Sequence, residues 1–464
     1  MSQRGKRPKK LLVDAKITSS GIDIYLNKDR FPIRYPKKIW NAYPKEKKEI
    51  LKDTLAHSST FYVPQILGIS EISYKTSRPL AESFFYKNGI YDIPYCANVD
   101  KKSSTEYLKF FFKTQYLFAD DQIKTPKEIL FKKEKKKKKK RAVIPFSFGK
   151  ESILSYSLAK ELGLEPILVS IVDPSHKYEY FHKKPLVDAF KKKTGVDVHI
   201  IEYNPGWFWE GRYWNIFTEL GWGLHVTEYE ILTLPFISYF DADYVIVGNE
   251  QSCKDTYIDK EGVFIYRAGY DQYKDWTQQQ ALLCSLLLGR KIEVMSLVEP
   301  LYEITETKIL HERYPEVGKY QMSCFAVDED SKNARWCQNC SKCSYFFPLF
   351  TAFNIDTKKL GFTENLFDKK HAKLYEVFFT RKKGTASYGS QGELAIAFYL
   401  SMKNGKTGYS IDRFKKEMLL KFMKNKKEWD KEFMGIHPTK NIPPAFKNKI
   451  IKIYEDELKG LRLR

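Results

Sequence analysis

Residues Ala142–Leu162 (Ala-Val-Ile-Pro-Phe-Ser-Phe-Gly-Lys-Glu-Ser-Ile-Leu-Ser-Tyr-Ser-Leu-Ala-Lys-Glu-Leu) pass from an apolar run into a helical pattern across one short turn. Ala142–Phe146 has the length and apolarity of a parallel strand buried on both faces, and Ile153, Leu154, Leu158 and Leu162 recur at helical spacing. The turn between them, Ser147–Ser152, places two hydroxyls and a glycine at the start of a helix. Backbone N–H groups left over in that first turn, together with the positive end of the helix dipole, suit a phosphate or pyrophosphate. The Walker A spacing is absent, and an ordinary strand-to-helix turn capped by Ser147 is the plain alternative.

The same alternation continues beyond this unit. Strands are predicted at Val143–Phe146, Ile167–Val172, Val198–Tyr203 and Tyr244–Val247, with helices at Glu151–Leu162, Pro185–Lys193 and roughly Glu228–Tyr239. Such repetition implies an α/β fold with a doubly wound parallel sheet and ligands at the carboxyl ends of its strands. Besides Ser147–Ser152, the turns Asp173-Pro-Ser-His and Asn249-Glu-Gln-Ser end two strands, so three polar turns are expected to converge on one crevice. The stretch from Trp207 to Trp222 holds four tryptophans, which either stack on a base or sugar or pack a loop over the sheet. His225 follows it and reads as structural.

The 464 residues suffice for two or three domains, and the sequence divides accordingly. Residues 1–10 read as a disordered basic tail. Residues 11–131 read as a separate N-terminal α+β module, opening with a hairpin of Leu11–Thr18 and Gly21–Leu26, interrupted by prolines between Phe31 and Pro44, and carrying Tyr107, Leu108, Phe111 and Phe112 on one helical stripe. Residues 132–141 form a Lys-rich linker with a net charge of +8 out of +22 for the chain. Residues 142–322 make the α/β domain, 323–383 a cysteine knuckle with a helical extension, and 384–464 a basic helical region. The excess charge makes a nucleic-acid partner possible, while a generally basic surface explains it as well. No apolar run reaches the roughly 18 residues of a membrane span, and the start of the chain lacks an apolar signal core, so a cytoplasmic protein is expected.

Cys324, Cys337, Cys340 and Cys343 have the spacing C-x12-C-x2-C-x2-C. Four thiolates so close in sequence suit a tetrahedral Zn2+ with no open position, and an iron–sulfur cluster is the alternative. Cys96, Cys253 and Cys284 lie outside the group and read as free thiols, with Cys253 placed to touch a substrate beside the Asn249 turn.

The turn Ser147-Phe-Gly-Lys-Glu-Ser152 resembles the PP-loop of the N-type ATP pyrophosphatases, a HUP-like fold whose members cleave ATP to AMP and pyrophosphate. Ser147, Gly149 and Ser152 match the pattern Ser-Gly-Gly-x-Asp-Ser, whereas Phe148 replaces a glycine and Glu151 the aspartate. With a four-cysteine knuckle after the sheet, the chain is distantly similar to 7-cyano-7-deazaguanine synthase. The segments Asn249-Glu-Gln-Ser, Tyr270-Asp-Gln-Tyr and Trp336-Cys-Gln-Asn-Cys-Ser-Lys-Cys look more like the MurL family, the UDP-N-acetylmuramoyl-L-alanyl-L-glutamate epimerases of peptidoglycan precursor synthesis. The likeness covers about Val143 to Phe353.

This resemblance implies ATP, Mg2+ and Zn2+ as cofactors and a small-molecule carboxylate as substrate, in a MurL-type enzyme a nucleotide-linked peptide. Ser147, Gly149, Lys150 and Ser152 would hold the pyrophosphate, Lys150 adding charge, and Ser170 to Asp173 would meet the adenine. Glu151 would contact Mg2+, while Glu250 would serve as acid or base, or else contact Mg2+ or ribose. Asn249 and Ser252 would orient the substrate. Adenylation followed by epimerisation of an L-glutamyl residue is the reaction implied. Another PP-loop ligase or synthase, or RNA-modifying enzyme, is the alternative, and the departures at Phe148 and Glu151 also admit an inactive nucleotide-binding protein.

Overall fold

A ten-stranded sheet runs through the computed structural model, which describes residues 10–127, 139–175, 178–267, 269–326, 329–380 and 389–461. In chain order the strands are β1 (Leu11–Thr18), β2 (Gly21–Leu26), β3 (Asp29–Arg34), β4 (Glu71–Ser77), β5 (Gln115–Asp120), β6 (Arg141–Pro145), β7 (Glu165–Val172), β8 (Val198–Tyr203), β9 (Tyr244–Val247) and, after a small separate hairpin of β10 (Thr256–Ile258) with β11 (Phe264–Tyr266), β12 (Glu293–Ser296). Across the sheet they lie in the order β12-β9-β6-β7-β8-β3-β2-β1-β4-β5. The run from β12 to β8 is parallel throughout, β8 to β1 is antiparallel, and β1, β4 and β5 are again parallel. The result is a mixed α/β protein with one large, mostly parallel sheet.

Both faces of the parallel half are covered, as its apolar strands require. Alternation along β6, β7 and β9 sends Val143, Val169 and Val245 into one core with Leu55, Ile231 and Leu283, and Ile144, Leu168 and Ile246 into the other with Leu154, Phe190, Leu310 and Ile450. The first of these cores also contains Ile22, Ile24, Ile33 and Phe85 from the N-terminal residues. The expected separate module is therefore corrected: its strands extend the same sheet, joined where Ile33 pairs with Tyr203 and Arg34 with Glu202. The expected hairpin is present as β1 and β2, with Val13 opposite Leu26 and Thr18 opposite Gly21. Of the expected stripe, Phe111 is buried but Phe112 faces solvent.

Most of the Lys-rich linker lies outside the described residues; Arg141 is already the first residue of β6. Pro185 sits inside the helix Glu179–Thr194 rather than starting it, and the expected helix Glu228–Tyr239 is two helices, His225–Leu232 and Leu234–Tyr239, divided where Pro235 cannot donate to the first. The cysteine segment and most of the C-terminal helices form a third core, in which the helix Ser341–Ala352 packs on Gln391–Lys403 through residues such as Phe350 and Ala397. The last helix, Pro444–Leu458, instead returns to the sheet, burying Ile450, Ile453 and Tyr454. No helix among the described residues is long and apolar enough to cross a membrane.

Candidate functional site

Strand order reverses between β6 and β9, since β7 and β8 lie on one side of that pair and β12 on the other. At such a reversal the turns leaving the two strands diverge and open a crevice at their carboxyl ends. The turn after β6 is Phe146–Gly149, leading into the helix Lys150–Glu161, and the turn after β9 is Gly248–Glu250. The two meet closely: a β-carbon added to Gly248 would lie 2.7 Å from Cβ of Glu151, so only glycine fits there. Phe148 adopts a left-handed backbone (φ 61°) with its ring buried against Phe146 and Phe190. Left-handed backbone costs a non-glycine residue about 1–2 kcal/mol, which burial of an aromatic ring offsets. Phe148 thus holds a backbone conformation that glycine adopts freely, and adds a core side chain.

Lys150 does not point outward into the crevice. Its ammonium is completely buried, 2.5 Å from Oε1 of Glu151, 2.8 Å from Oε2 of Glu250, 3.2 Å from Oε2 of Glu303 and 3.4 Å from Oε2 of Glu306. Burial alone would lower its pKa, but these four carboxylates outweigh that and hold it well above the ordinary lysine value. Glu151 feels burial pushing its carboxyl up and the neighbouring ammonium pulling it down; the ammonium prevails. For Glu303 and Glu306 burial prevails and both are raised. A fifth acid, Glu393, accepts from the backbone N–H of Ile304 at 2.7 Å and from the Tyr345 hydroxyl at 2.7 Å, and burial pushes it up to about 7.

The other residues singled out from sequence divide into two groups. Around the turns, Ser147 is exposed and its Oγ accepts from the Gly149 N–H at 3.2 Å, Ser152 donates to the Gly149 carbonyl at 3.1 Å, and Ser252 donates to Glu250 at 2.7 Å. In the second group the side chains are buried: Asn249, within the turn after β9, donates to the Thr277 hydroxyl at 2.9 Å, which makes its side chain a brace for the turn. Ser170 lies buried in β7, and the Asp173 carboxylate is packed against Gly206, where an added β-carbon would come within 2.1 Å of it. Cys253 is buried and donates to Gln272 at 3.3 Å, so the thiol ties the turn to the Tyr270–Tyr273 segment; burial raises its pKa well above the ordinary value. Cys96 and Cys284 are buried free thiols. The tryptophans pack the loop: Trp209 is buried with its ring against those of Tyr203, Trp222, His225 and Tyr229.

Glu303, Glu306 and Glu393 were not singled out from sequence. A signal exists at the first two, because Glu303 and Glu306 fall one turn apart on a helix that also buries Ile304, Thr305, Thr307, Ile309 and Leu310.

The four cysteines do converge. Sγ separations of 3.9 Å (Cys324 to Cys340), 3.8 Å (Cys337 to Cys343) and 3.5 Å (Cys340 to Cys343) match the roughly 3.8 Å edge of a tetrahedron with 2.3 Å Zn–S bonds. Backbone N–H groups of Ala326 and Cys337 point at the Cys324 sulfur at 3.4 and 3.3 Å, and that of Cys343 at the Cys340 sulfur at 3.4 Å. Such donors stabilise thiolates, so the group can hold a zinc ion.

In comparisons with known proteins, no family model matches the chain and no curated protein does.

Proposed function

We propose that the protein is an ATP-dependent, AMP-forming enzyme that activates a substrate carboxylate as its acyl-adenylate, and that epimerisation at the adjacent carbon follows, as the resemblance to the MurL family implies. The observation that carries this reading is the meeting of the Ser147–Ser152 turn with the Glu250 turn at the strand-order reversal. The twelve-residue helix Lys150–Glu161 starts at that turn, and the N–H groups of its first turn would suit the pyrophosphate. Glu151 would hold Mg2+, whose charge offsets that of the phosphates. A carboxylate esterified to AMP carries less negative charge than the free group, so its α-proton is more readily removed. Glu250, between the two turns and hydrogen-bonded to Ser252, is the acid or base for that step.

The test is release of AMP and pyrophosphate from ATP across a panel of carboxylates in deuterated water. Carboxylate-dependent AMP formation with deuterium gained at the α-carbon is expected, and Glu250→Gln should slow the exchange about hundredfold or more. AMP formation without exchange removes the epimerase step and points to a ligase or synthase. No AMP with any carboxylate defeats the reading altogether.

A further inference from the structure

We propose that Glu151, Glu250, Glu303 and Glu306 form a divalent-cation site in which the Lys150 ammonium is an internal stand-in that the cation displaces. The proposal shares its pocket with the AMP-forming reading and rests on that reading only for the choice of Mg2+ as the physiological ion.

Three observations lead to it. One oxygen from each of Glu151, Glu250 and Glu303 lies within 4.8 Å of the others, although the three residues come from the first turn of one helix, a strand-end turn and another helix. Ligand oxygens of a bound divalent ion are separated by at most about 4–5 Å, twice the metal–oxygen distance, so the set is already gathered to that size. Its donors are hard carboxylate oxygens, the type that suits Mg2+, Mn2+ or Ca2+ rather than a soft ion.

Second, the ammonium is at the position of a coordinated ion rather than in an ordinary ion pair, with all four carboxylates 2.5 to 3.4 Å from Nζ. An ammonium has three N–H donors and cannot serve four carboxylates. Third, and independently of the gathered set, Glu306 is fully buried, points at the same centre, and neither of its oxygens takes part in a hydrogen bond. A buried carboxyl left without a hydrogen bond is costly. Four acidic side chains face a single positive charge, and a divalent ion would bring twice that charge to the same centre.

Displacement would also have a consequence for the crevice. Lys150 is the first residue of the helix whose N-terminus lies at the turn, so the ammonium driven out is set free beside the proposed pyrophosphate position. Cation binding and anion binding would then be coupled through one side chain.

The experiment titrates Mn2+ into the full-length, zinc-loaded protein without nucleotide, following free Mn2+ by electron paramagnetic resonance. Wild type is expected to take up one Mn2+ per chain that Glu303→Gln does not bind. Lys150→Met, which keeps the aliphatic stem and removes the competing charge, is expected to bind that ion about tenfold more tightly or better. Lys150→Met that is folded by circular dichroism yet binds no tighter than wild type overturns the stand-in role. If Lys150→Met does not fold, the comparison of wild type with Glu303→Gln decides: equal Mn2+ uptake by the two overturns the site. Because ATP is absent throughout, failure of AMP formation and failure of this site are separate results.

Discussion

The cysteine group and the carboxylate group are built on opposite principles. In the first, four soft donors lie within twenty residues of one another at the head of one helix, and their sulfurs already outline a tetrahedron. In the second, hard donors come from helices and turns far apart in the chain and surround a cation that belongs to the protein. Four thiolates closed around zinc would leave no position for a substrate, so their contribution would be to folding. Carboxylates around a lysine would, on the proposal above, exchange one cation for another, a property that suits a reaction centre. The same count of converging ligands therefore does not mean the same task.

The largest effect that separates the two is expected at the cysteines. Cys340→Ala should abolish a zinc content of about one per chain by elemental analysis. It should also melt the third core, because ligation and local folding share one free energy, apparent values for structural zinc being about 10–16 kcal/mol. Retention of wild-type thermal stability by this variant would falsify the structural role and erase the contrast.

A smaller effect is expected where the carboxylate site is assembled. Gly248→Ala places a methyl group 2.7 Å from Cβ of Glu151 and should force the two turns apart, lowering stability by roughly 1–3 kcal/mol. AMP formation should fall by more than that loss of folded protein explains. If urea denaturation and activity are both unchanged, the turns tolerate separation and their close approach is incidental.

Glu228 sharpens the contrast, as a buried acid that accepts from Ser58 at 2.5 Å and has no ion pair among the described residues. Burial pushes its pKa up from 4.5 to about 8. The folded state therefore keeps a proton that the unfolded chain gives up between those values, and this group's contribution to stability is complete below pH 4.5 and lost as pH rises through 8. Glu228→Gln, which imitates the neutral acid, should shallow the fall in urea midpoint between pH 5 and 9, an effect of a few kcal/mol at most. An unchanged pH profile would mean that other groups control that range.

What could be read from the sequence follows from how local each feature is. Strands β8 and β9 have the expected limits, because each is a short apolar run bounded by polar turns. The cysteine group was legible since its ligands are neighbours in the chain. Strand β12 was not, since only Val294 and Met295 of its four residues are apolar and they make no run. The carboxylate group was half legible: Glu151 and Glu250 sit in turns that sequence marks, but Lys150 and Glu250 are 100 residues apart and only the sheet order brings them together. The surroundings of Lys150 were hidden for a related reason. Beside a phosphate-type turn a lysine suggests an anion, whereas the acids of the helix Glu303–Arg313, unseen from that turn, draw it inward. Pro32 argued against a strand and yet lies in β3, just outside the two-pair ladder to β8, where its missing N–H costs that ladder nothing.

That junction sets a timetable for the nascent chain. Arg34 must wait for Glu202 to leave the ribosome, roughly 170 residues later, which at about 5–20 residues per second is on the order of ten to thirty seconds. For that interval β3 presents an open edge able to pair with another polypeptide. A proline in the strand, with arginines at positions 30 and 34 beside it, is the kind of guard that keeps such an edge from recruiting the wrong partner while the right one is still being made.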